Sequence, residues 1–381
     1  MANVLTDLAA DIYKAADVVG RELVGFIPAV TVNANGSERV AKGDVVRASF
    51  TRAASVVDVS ESMTIPEGTD QTVDNKTLTI SKTRAVQIPY TGEDVRHLNN
   101  GIGFETVYGD QIAQAMRALV NEIEADVATE AYKNASRAFG TAGTTPFASN
   151  FSEVAELRQI LADNGMPMND GQASMVLNTV AGTNLRQLAQ LQKANEAGGT
   201  DLLRQGVLLD LQGLMLRESA QVQSHTKGTG ASYLLNDASS AIGDTSIAAD
   251  GGSGTILAGD VVTFNGDTNK YVVNTALSGG AFAIGAPGLR LALADNAAIT
   301  VGNSYTANVA FHRRALEIAM RAPAVPEGGD AADDAMTIQD PFSGLVFEVR
   351  VYRGYRKTMI EVAVAWGVKA WKPDYIATLM G

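Results

Sequence analysis

The chain contains no cysteine, and that absence excludes several kinds of chemistry at once. Disulfides, thiol nucleophiles and cysteine-ligated zinc or iron–sulfur sites all require a thiol. Histidine is nearly as scarce, with only His97, His225 and His312 in 381 residues, far apart in the sequence. No string for a metalloprotease, serine hydrolase, phosphate-binding loop or dinucleotide site occurs. We therefore predict that the protein is not an enzyme and that it has no cofactor.

Positive charge is also in short supply. Lys and Arg number 30 against 42 Asp and Glu, so the formal net charge is −12. Broad, sequence-independent adhesion to DNA or anionic lipid needs a net positive surface, although a local basic patch can still exist. No apolar run is long enough to cross a bilayer, and the first twenty residues lack the basic-then-apolar order of a secretory signal. These features predict a protein made in the cytoplasm with no membrane partner.

What the chain does contain is enough apolar sequence for a large core, since 46% of residues are hydrophobic. The longest periodic segment predicts one helix over 104 to 138, because apolar residues recur at steps of three and four. Glu122, Asp126 and Glu130 follow another side of this helix at i, i+4 spacing, where like charges repel. Either this is a solvated acidic face, or a basic surface of another subunit neutralises it.

Two further regions predict β-structure. Residues 45 to 90 read as a long two-stranded arm with a polar tip, which is only marginally stable alone and so needs a neighbour. Alternation in 347 to 368 predicts a strand pair that turns between Arg353 and Lys357.

The composition changes abruptly between 226 and 308. No glutamate occurs there, and Lys227, Lys270 and Arg290 are its only basic residues. Asn265-Gly266 between two apolar runs is a strong hairpin signal. A break this sharp, flanked by sequence of ordinary composition, predicts an inserted all-β domain.

An S-x-x-K string and two Asp-rich loops could indicate a catalytic or a calcium site, but a structural interpretation is favoured for each. Ser224 to Lys227 matches S-x-x-K without its partner strings and lies at the entry to the insertion, so a linker is favoured. Two Asp-rich loops, 265 to 269 and 330 to 334, lack calcium-loop spacing, and no metal site is predicted.

Two basic stretches remain. "RVYRGYRK" places Arg350, Arg353, Arg356 and Lys357 among tyrosines, which suits nucleic acid, salt bridges to another subunit, or simply polar strand faces. In "NVAFHRRALEIAMRAP", Leu316, Ile318 and Met320 predict a half-buried strand. We expect His312 and Arg314 to continue that face beyond the sheet edge.

In combination, these segments resemble the major capsid proteins of tailed bacteriophages, with the Hong Kong 97-like fold. Within that class the chain resembles coat proteins that carry a β-barrel inserted in the apical domain. The local matches, in chain order, are "LLRQGVLLDLQGLMLRESAQV", "LAGDVVTFNGD", "NVAFHRRALEIAMRAP" and "IEVAVAWGVKAWKPDYI".

The resemblance implies an α+β fold with a definite domain plan. The expected parts are an N-terminal arm (1 to 44), an extended loop over a neighbouring subunit (45 to 92), a peripheral domain (93 to 150 and 331 to 364) with a spine helix (104 to 138), an apical domain (151 to 225, 309 to 330 and 365 to 381), and an inserted β-barrel (226 to 308).

It also implies a function: self-assembly into the icosahedral shell of a virion, assembled in the host cytoplasm around double-stranded DNA. Expected partners are further copies in hexamers and pentamers, a scaffolding protein, a portal protein, packaged DNA without sequence preference, and a decoration protein. The alternative is a secreted or surface β-rich adhesion or carbohydrate-binding protein, although 6% aromatic residues supply few platforms for sugars.

Candidate residues follow from the same reasoning. Some relatives join subunits through lysine–asparagine isopeptide bonds, but no partner motif accompanies the loop lysines, and that chemistry is not expected here. The candidate subunit-contact residues are Lys76, Lys82, Arg84, Glu122, Asp126, Glu130, Arg350, Arg353, Arg356 and Lys357. The candidate hinges are Gly101, Gly103, Gly228 and Gly230.

Overall fold

The computed structural model describes residues 25–51, 58–59, 61–65, 73–99, 104–192, 210–237, 240–339 and 344–381. Gly101, Gly103 and most of the predicted N-terminal arm lie outside the described residues. The helices within them are α1 (Gly92–Asn99), α2 (Phe104–Lys133), α3 (Ser152–Asp163), α4 (Thr179–Gln187) and α5 (Ala189–Gln192). None of these helices is both long enough and apolar enough to span a bilayer.

Six strands form one sheet in the order β1-β17-β20-β19-β18, and β4 pairs with the same long strand β20. The β19–β20 pair turns tightly, with Gly354 opposite Lys357, which confirms the predicted turn. Strand β20 runs without a break through residue 364, so the predicted boundary at 364/365 falls inside one strand. The strands are β1 (Thr31–Val40), β4 (Lys82–Thr91), β17 (Leu316–Pro323), β18 (Ala332–Gln339), β19 (Val346–Gly354) and β20 (Lys357–Ala370).

A second sheet combines a central set of strands with a closed barrel. Its central set, in spatial order, is β5-β21-β16-β6-β8-β7, with β9 paired to β16. These strands are β5 (Arg137–Gly140), β6 (Ala173–Leu177), β7 (Asp210–Leu211), β8 (Leu214–Glu218), β9 (Ser224–His225), β16 (Tyr305–His312) and β21 (Ile376–Met380).

The barrel occupies the region whose composition differs from the rest of the chain. Its strands follow the order β12-β15-β10-β11-β14-β13, and β13 pairs back with β12 to close the ring. The β12–β13 pair is the hairpin predicted from Asn265-Gly266, and Gly266 has a positive φ of 93° there. The strands are β10 (Tyr233–Leu235), β11 (Ser246–Asp250), β12 (Val261–Phe264), β13 (Lys270–Ser278), β14 (Ala281–Ile284) and β15 (Ala298–Val301).

The barrel has its own hydrophobic core, which includes Phe264, Tyr271 and Phe282. One link to the central set is the short pairing of β13 with β5, where Lys270 and Tyr271 lie opposite Ala138 and Arg137. The barrel interior is filled by the side chains of this core.

The predicted long arm is divided into two parts. Strands β2 (Val45–Thr51) and β3 (Val73–Thr79) form a separate hairpin. The chain then changes partner: the N–H of Ile80 donates to the Asp44 carbonyl, and that of Ser81 donates to Trp366. The segment predicted as one return strand is therefore β3 followed by β4, since β20 takes over the pairing.

The long helix α2 ends at Lys133 and not at residue 138 as predicted. The Asn134 side chain donates to the Glu130 carbonyl, and the Ser136 N–H and hydroxyl both donate to the Ile376 carbonyl. Those bonds redirect the backbone into β5, which pairs in parallel with β21. Helical periodicity alone does not reveal this competition from a distant strand.

The main core lies between α2 and the two sheets. Residues of α2 that face it include Ile112, Met116 and Ile123, and Trp366 of β20 is fully buried there. A second core packs α3 and α4 against the opposite face of the central strands. Helix α2 is thus buried along one side by both sheets, as its apolar stripe predicts.

Candidate subunit contacts and internal junctions

The acidic side of α2 is neutralised within the subunit at two of its three carboxylates. Lys82 of β4 lies 2.9 Å from both the Glu122 and Asp126 carboxylates, and Arg84 lies 3.2 Å from Glu122. Asp126 also accepts from the Trp366 indole N–H, at 2.9 Å. The network fixes β4 and β20 against the middle of the long helix.

The electrostatics of this network follow from its geometry. Burial opposes the charge on Lys82, but hydrogen bonds and the charges of Asp126 and Glu122 outweigh it and raise the Lys82 pKa. Partial burial likewise opposes ionisation of Glu122, but Lys82 and Arg84 hold its pKa below the usual value of 4.5. The lysine is therefore firmly cationic.

Two further candidate residues, Glu130 and Lys76, also have hydrogen-bond partners within the same subunit. Glu130 accepts from the Ala370 N–H at 3.1 Å, and Lys76 donates to the Trp371 carbonyl at 3.3 Å. The sequence interpretation placed these residues at contacts between subunits. The structure supplies intramolecular partners for them, and their role between subunits stays a prediction.

The Lys82 network leads to a test of local coupling. Lys82→Met is expected to lower the free energy of unfolding by about 0.5–1 kcal/mol, since the side chains are about one-third exposed and solvent screens the pairs. Because the pKa of Glu122 is depressed, its contribution is present above about pH 4.5 and disappears as the pH falls through the lowered pKa. Urea titrations across this range measure both effects.

Lys42→Met is the matched control, because Lys42 is exposed on the turn before β2. It is expected to leave stability and its pH dependence unchanged. Equal effects from the two variants would show that the Lys82 network does not couple β4 to α2.

"RVYRGYRK" forms the β19–β20 turn, but its arginines are not equivalent. The buried Arg350 pairs with Glu348 and with Asp330, and Arg353 pairs with Asp333 at 2.9 Å. Arg356, Lys357 and the turn residue Tyr355 are exposed. Half of the predicted basic patch is thus matched by acids of its own sheet.

The segment around His312 joins the two sheets. Strand β16 ends at His312 in the central set, Arg313–Ala315 forms a 3-10 turn, and β17 starts in the six-stranded sheet. His312 is fully buried, which corrects the prediction that it extends past the sheet edge. Its Nε2 lies 2.8 Å from Asp170, and its Nδ1 accepts from the Arg314 N–H at 3.1 Å.

The imidazole therefore acts as a cap for the turn. The hydrogen bond from His312 holds the pKa of Asp170 below its usual range. Strand alternation could not predict this burial, because the loop that carries Asp170 is distant in sequence. The arrangement is structural: the two ring nitrogens are both occupied by protein partners.

The entry to the barrel is built around a buried carboxylate that sequence reasoning did not single out. Asp260 accepts from the N–H groups of Leu257 (2.7 Å) and Gly228 (3.0 Å), and His225 Nε2 lies 2.8 Å away. Asp260 is 1% exposed. Three donors from two segments meet at one side chain, so the carboxylate ties the barrel to β9 and the residues that follow it.

Gly228 and Gly230 were predicted as hinges. A Cβ on Gly228 would lie 2.2 Å from the Thr255 carbonyl oxygen, and the Gly230 N–H donates to that same oxygen. Gly228 is therefore needed for the close backbone approach, whereas a Cβ on Gly230 would be tight, at 3.0 Å from its neighbours. Hinge motion at this point stays a prediction.

A second buried carboxylate holds the start of the described chain. Glu124 of α2 accepts from the N–H groups of Phe26 (2.7 Å) and Ile27 (3.0 Å) and from the Ser219 hydroxyl (2.9 Å). Burial raises the pKa of Glu124 despite these donors. Gly25 is required beside it, since a Cβ there would lie 2.0 Å from the Glu124 carboxylate.

One segment presents apolar side chains to solvent. Val59, Met63 and Ile65, between β2 and β3, are 102%, 108% and 91% exposed. We name these three residues the loop tip. Exposed apolar groups of this size, gathered on one segment, are typical of a surface that another protein covers.

No cluster of three or more His, Asp or Glu side chains suited to a metal ion occurs among the residues that the structure describes. His97 is exposed on α1, whereas His225 and His312 are in separate buried pairs.

Comparison with known proteins shows which solved structures have a similar fold. No family model matches the chain, and no curated protein matches it in sequence. Among solved structures, a chain of the capsid of cyanophage P-SCSP1u superposes over 92% of this chain and 86% of its own, with a TM-score of 0.50 at 12% identity. The chain has the fold of a phage capsid protein.

Other structures of the same kind are similar at lower scores. A chain of Mycobacterium phage Che8 covers 89% of this chain and 85% of its own, with a TM-score of 0.47 at 15% identity. A chain of the mature capsid of bacteriophage PhiM1 covers 93% of this chain and 86% of its own, with a TM-score of 0.47 at 9% identity. In this capsid fold, the loop tip and the β19–β20 turn are the exposed extremities of strand pairs, whereas Asp260, Glu124 and His312 lie at its internal junctions.

Proposed function

We propose that the protein is the major capsid protein of a tailed phage, which self-assembles into an icosahedral shell around packaged double-stranded DNA. The observation that carries the proposal is a capsid fold whose extended hairpin exposes apolar residues at its loop tip. Such a tip is unfavourable in a lone subunit and is accounted for when another copy covers it. A shell multiplies modest contacts of this kind over many copies.

The proposed domain plan follows the strands. The peripheral domain comprises α2 and the whole six-stranded sheet, so it includes β17 and all of β20. The apical domain comprises the central strands β5 to β9, β16 and β21. The barrel, between 231 and 301, is the inserted domain of a Hong Kong 97-like fold, and residues 45 to 80 contain the extended loop.

The proposed partners are further copies in hexamers and pentamers, a scaffolding protein, a portal protein and the packaged DNA, with a decoration protein as an additional partner. The proposed location is the virion, after assembly in the host cytoplasm. Candidate contacts between copies are Arg353, Arg356 and Lys357 at the β19–β20 turn, together with the loop tip. An adhesion protein would account for the barrel but not for the surrounding capsid fold.

The test is particle formation. The full chain, expressed with a scaffolding protein from the same source, is expected to give large closed shells in negative-stain images and in sedimentation velocity. Met63→Asp is expected to reduce the yield of shells more than tenfold, because a charge in a covered apolar contact costs several kcal/mol. The variant subunit should remain folded, since Met63 is fully exposed in it.

Met63→Leu is the matched control, because it keeps an apolar side chain of similar volume. Shells from this variant are expected at the wild-type yield. Only small oligomers from the wild-type chain would contradict the proposed function, and normal shells from Met63→Asp would contradict the role of the loop tip.

A further inference from the structure

A group of basic side chains surrounds the turn between the two sheets. Arg313 and Arg314 occupy the turn itself, and Lys369 and Lys372 flank the end of β20. We name these four residues the junction patch. The sequence separates its two halves by more than fifty residues, so the patch exists only in the folded chain.

Backbone hydrogen bonds establish that the two halves are adjacent. The N–H groups of Trp371 and Lys372 both donate to the Ala315 carbonyl, at 2.7 and 3.4 Å. Strand register places Lys369 opposite Glu317, two residues beyond the turn. The four cationic residues therefore lie on adjoining segments at one end of the six-stranded sheet.

These four cations form no salt bridges with acids among the described residues. Arg313, Arg314 and Lys369 are exposed, and no ion pair joins any of the four to an acid in the part of the chain that the structure describes. The nearby Glu317 carboxylate is occupied by Asn33 and by the Trp371 indole. Asp170 is bound by His312, and its charge also interacts with Arg314. Asp374 interacts in the same way with Lys372, so two acids offset the four cations in part and a net positive charge remains.

The other basic stretch differs in this respect. Arg350 and Arg353 of "RVYRGYRK" are paired with Asp330 and Asp333, so its net charge is reduced internally. Aromatic rings also accompany the junction patch: Trp371 and Tyr375 are half-buried, and the Lys372 ammonium lies 4.5 Å from the centroid of the Tyr375 ring. Arginine, lysine and aromatic groups in one place suit a phosphodiester backbone.

We propose that the junction patch is the surface through which this chain contacts the phosphate backbone of double-stranded DNA. The inference rests on the proposed function and specifies which face meets the packaged DNA. A chain of net charge −12 repels a polyanion over most of its surface, so contact requires a local patch in which cations outnumber the acids beside them and form no salt bridges with them. Contacts of this kind position the backbone without reading its sequence.

The test uses the unassembled full chain and a short fluorescein-labelled DNA duplex in fluorescence anisotropy. Wild-type affinity is expected to fall steeply with salt, with a log–log slope of about −0.9 for each phosphate contacted. The Arg313→Glu, Arg314→Glu double variant is expected to lose about tenfold or more in affinity and to flatten the slope by about two units. Lys369→Glu, a single change at an exposed position, should weaken binding in the same direction.

The matched control is Arg353→Glu, Arg356→Glu, which changes the net charge by the same amount at the β19–β20 turn and should leave DNA affinity nearly unaltered. Circular dichroism establishes that each variant is folded. Equal losses from both double variants, or no DNA binding by the wild type at low salt, would overturn the proposal. So would equally tight binding of polyglutamate, which would assign the patch to acidic side chains.

Because this assay needs no shell, it separates the two proposals. Loss of DNA binding by the junction variant without any particle formation would support the patch and contradict the capsid function. Shells that form normally from the junction variant and retain DNA as well as the wild type would overturn the patch alone.

Discussion

Replacing Asp260 with alanine is expected to lower the free energy of unfolding by about 3–5 kcal/mol, one of the two largest effects predicted for this protein. The side chain is 1% exposed and accepts from Leu257, Gly228 and His225. Alanine leaves these donors buried without an acceptor, and each one costs roughly 1–3 kcal/mol. Urea denaturation measures the loss.

The location of the effect is as informative as its size. Hydrogen exchange is expected to accelerate first in residues 226 to 231 and 255 to 260, because Asp260 joins these segments. Asp250→Ala, at an exposed position on the same barrel, is the control and should change stability by less than about 0.5 kcal/mol. A loss below about 1 kcal/mol for Asp260→Ala would show that the carboxylate does not hold the barrel.

Replacing Glu124 with alanine is expected to have a comparable effect, about 3–5 kcal/mol, where the start of the described chain meets α2. Its carboxylate is 3% exposed and is the acceptor for Phe26, Ile27 and Ser219. Although burial raises its pKa and makes ionisation costly, the three donors have no other acceptor if the side chain is removed. The N-terminal segment should then detach from α2.

Limited proteolysis provides the measurement for Glu124. Cleavage near residues 25 to 30 is expected to speed up in Glu124→Ala and to a smaller degree in Glu124→Gln, which keeps one acceptor oxygen. Asp110→Ala changes an exposed acid of the same helix and should leave cleavage at the wild-type rate. Unchanged cleavage in Glu124→Ala would mean that packing of Phe26, which stacks on Phe311, is sufficient to hold the segment.

These two residues show why part of the molecule could not be predicted. Asp260 reads as one more Asp in a Gly- and Asp-rich stretch, and Glu124 as an acid beside the Glu122 and Asp126 series. An aspartate in a surface turn and an aspartate buried as a hydrogen-bond acceptor cannot be told apart in the sequence. Their donors come from segments up to 98 residues away, and no local pattern encodes such a distance.

The charged candidates show the converse. The sequence identified Glu122, Asp126 and Glu130 as a series of like charges, either solvated or neutralised by a cation of another subunit. It could not decide whether the cation belongs to the same subunit or another. That depends on the route of β4 across α2, which β20 sets by pairing with β4.

The sequence by itself determined the long helix from its period, the β19–β20 turn, the Asn265-Gly266 hairpin and the composition break around the barrel, because each of these is a local or averaged property of neighbouring residues. Only the tertiary structure decided that α2 stops at Lys133, that His312 is buried, and that Arg313 and Arg314 meet Lys369 and Lys372. Each of these depends on which distant strand offers a hydrogen bond or covers a side chain. That pairing is determined by the free energy of the complete fold, and not by the local sequence.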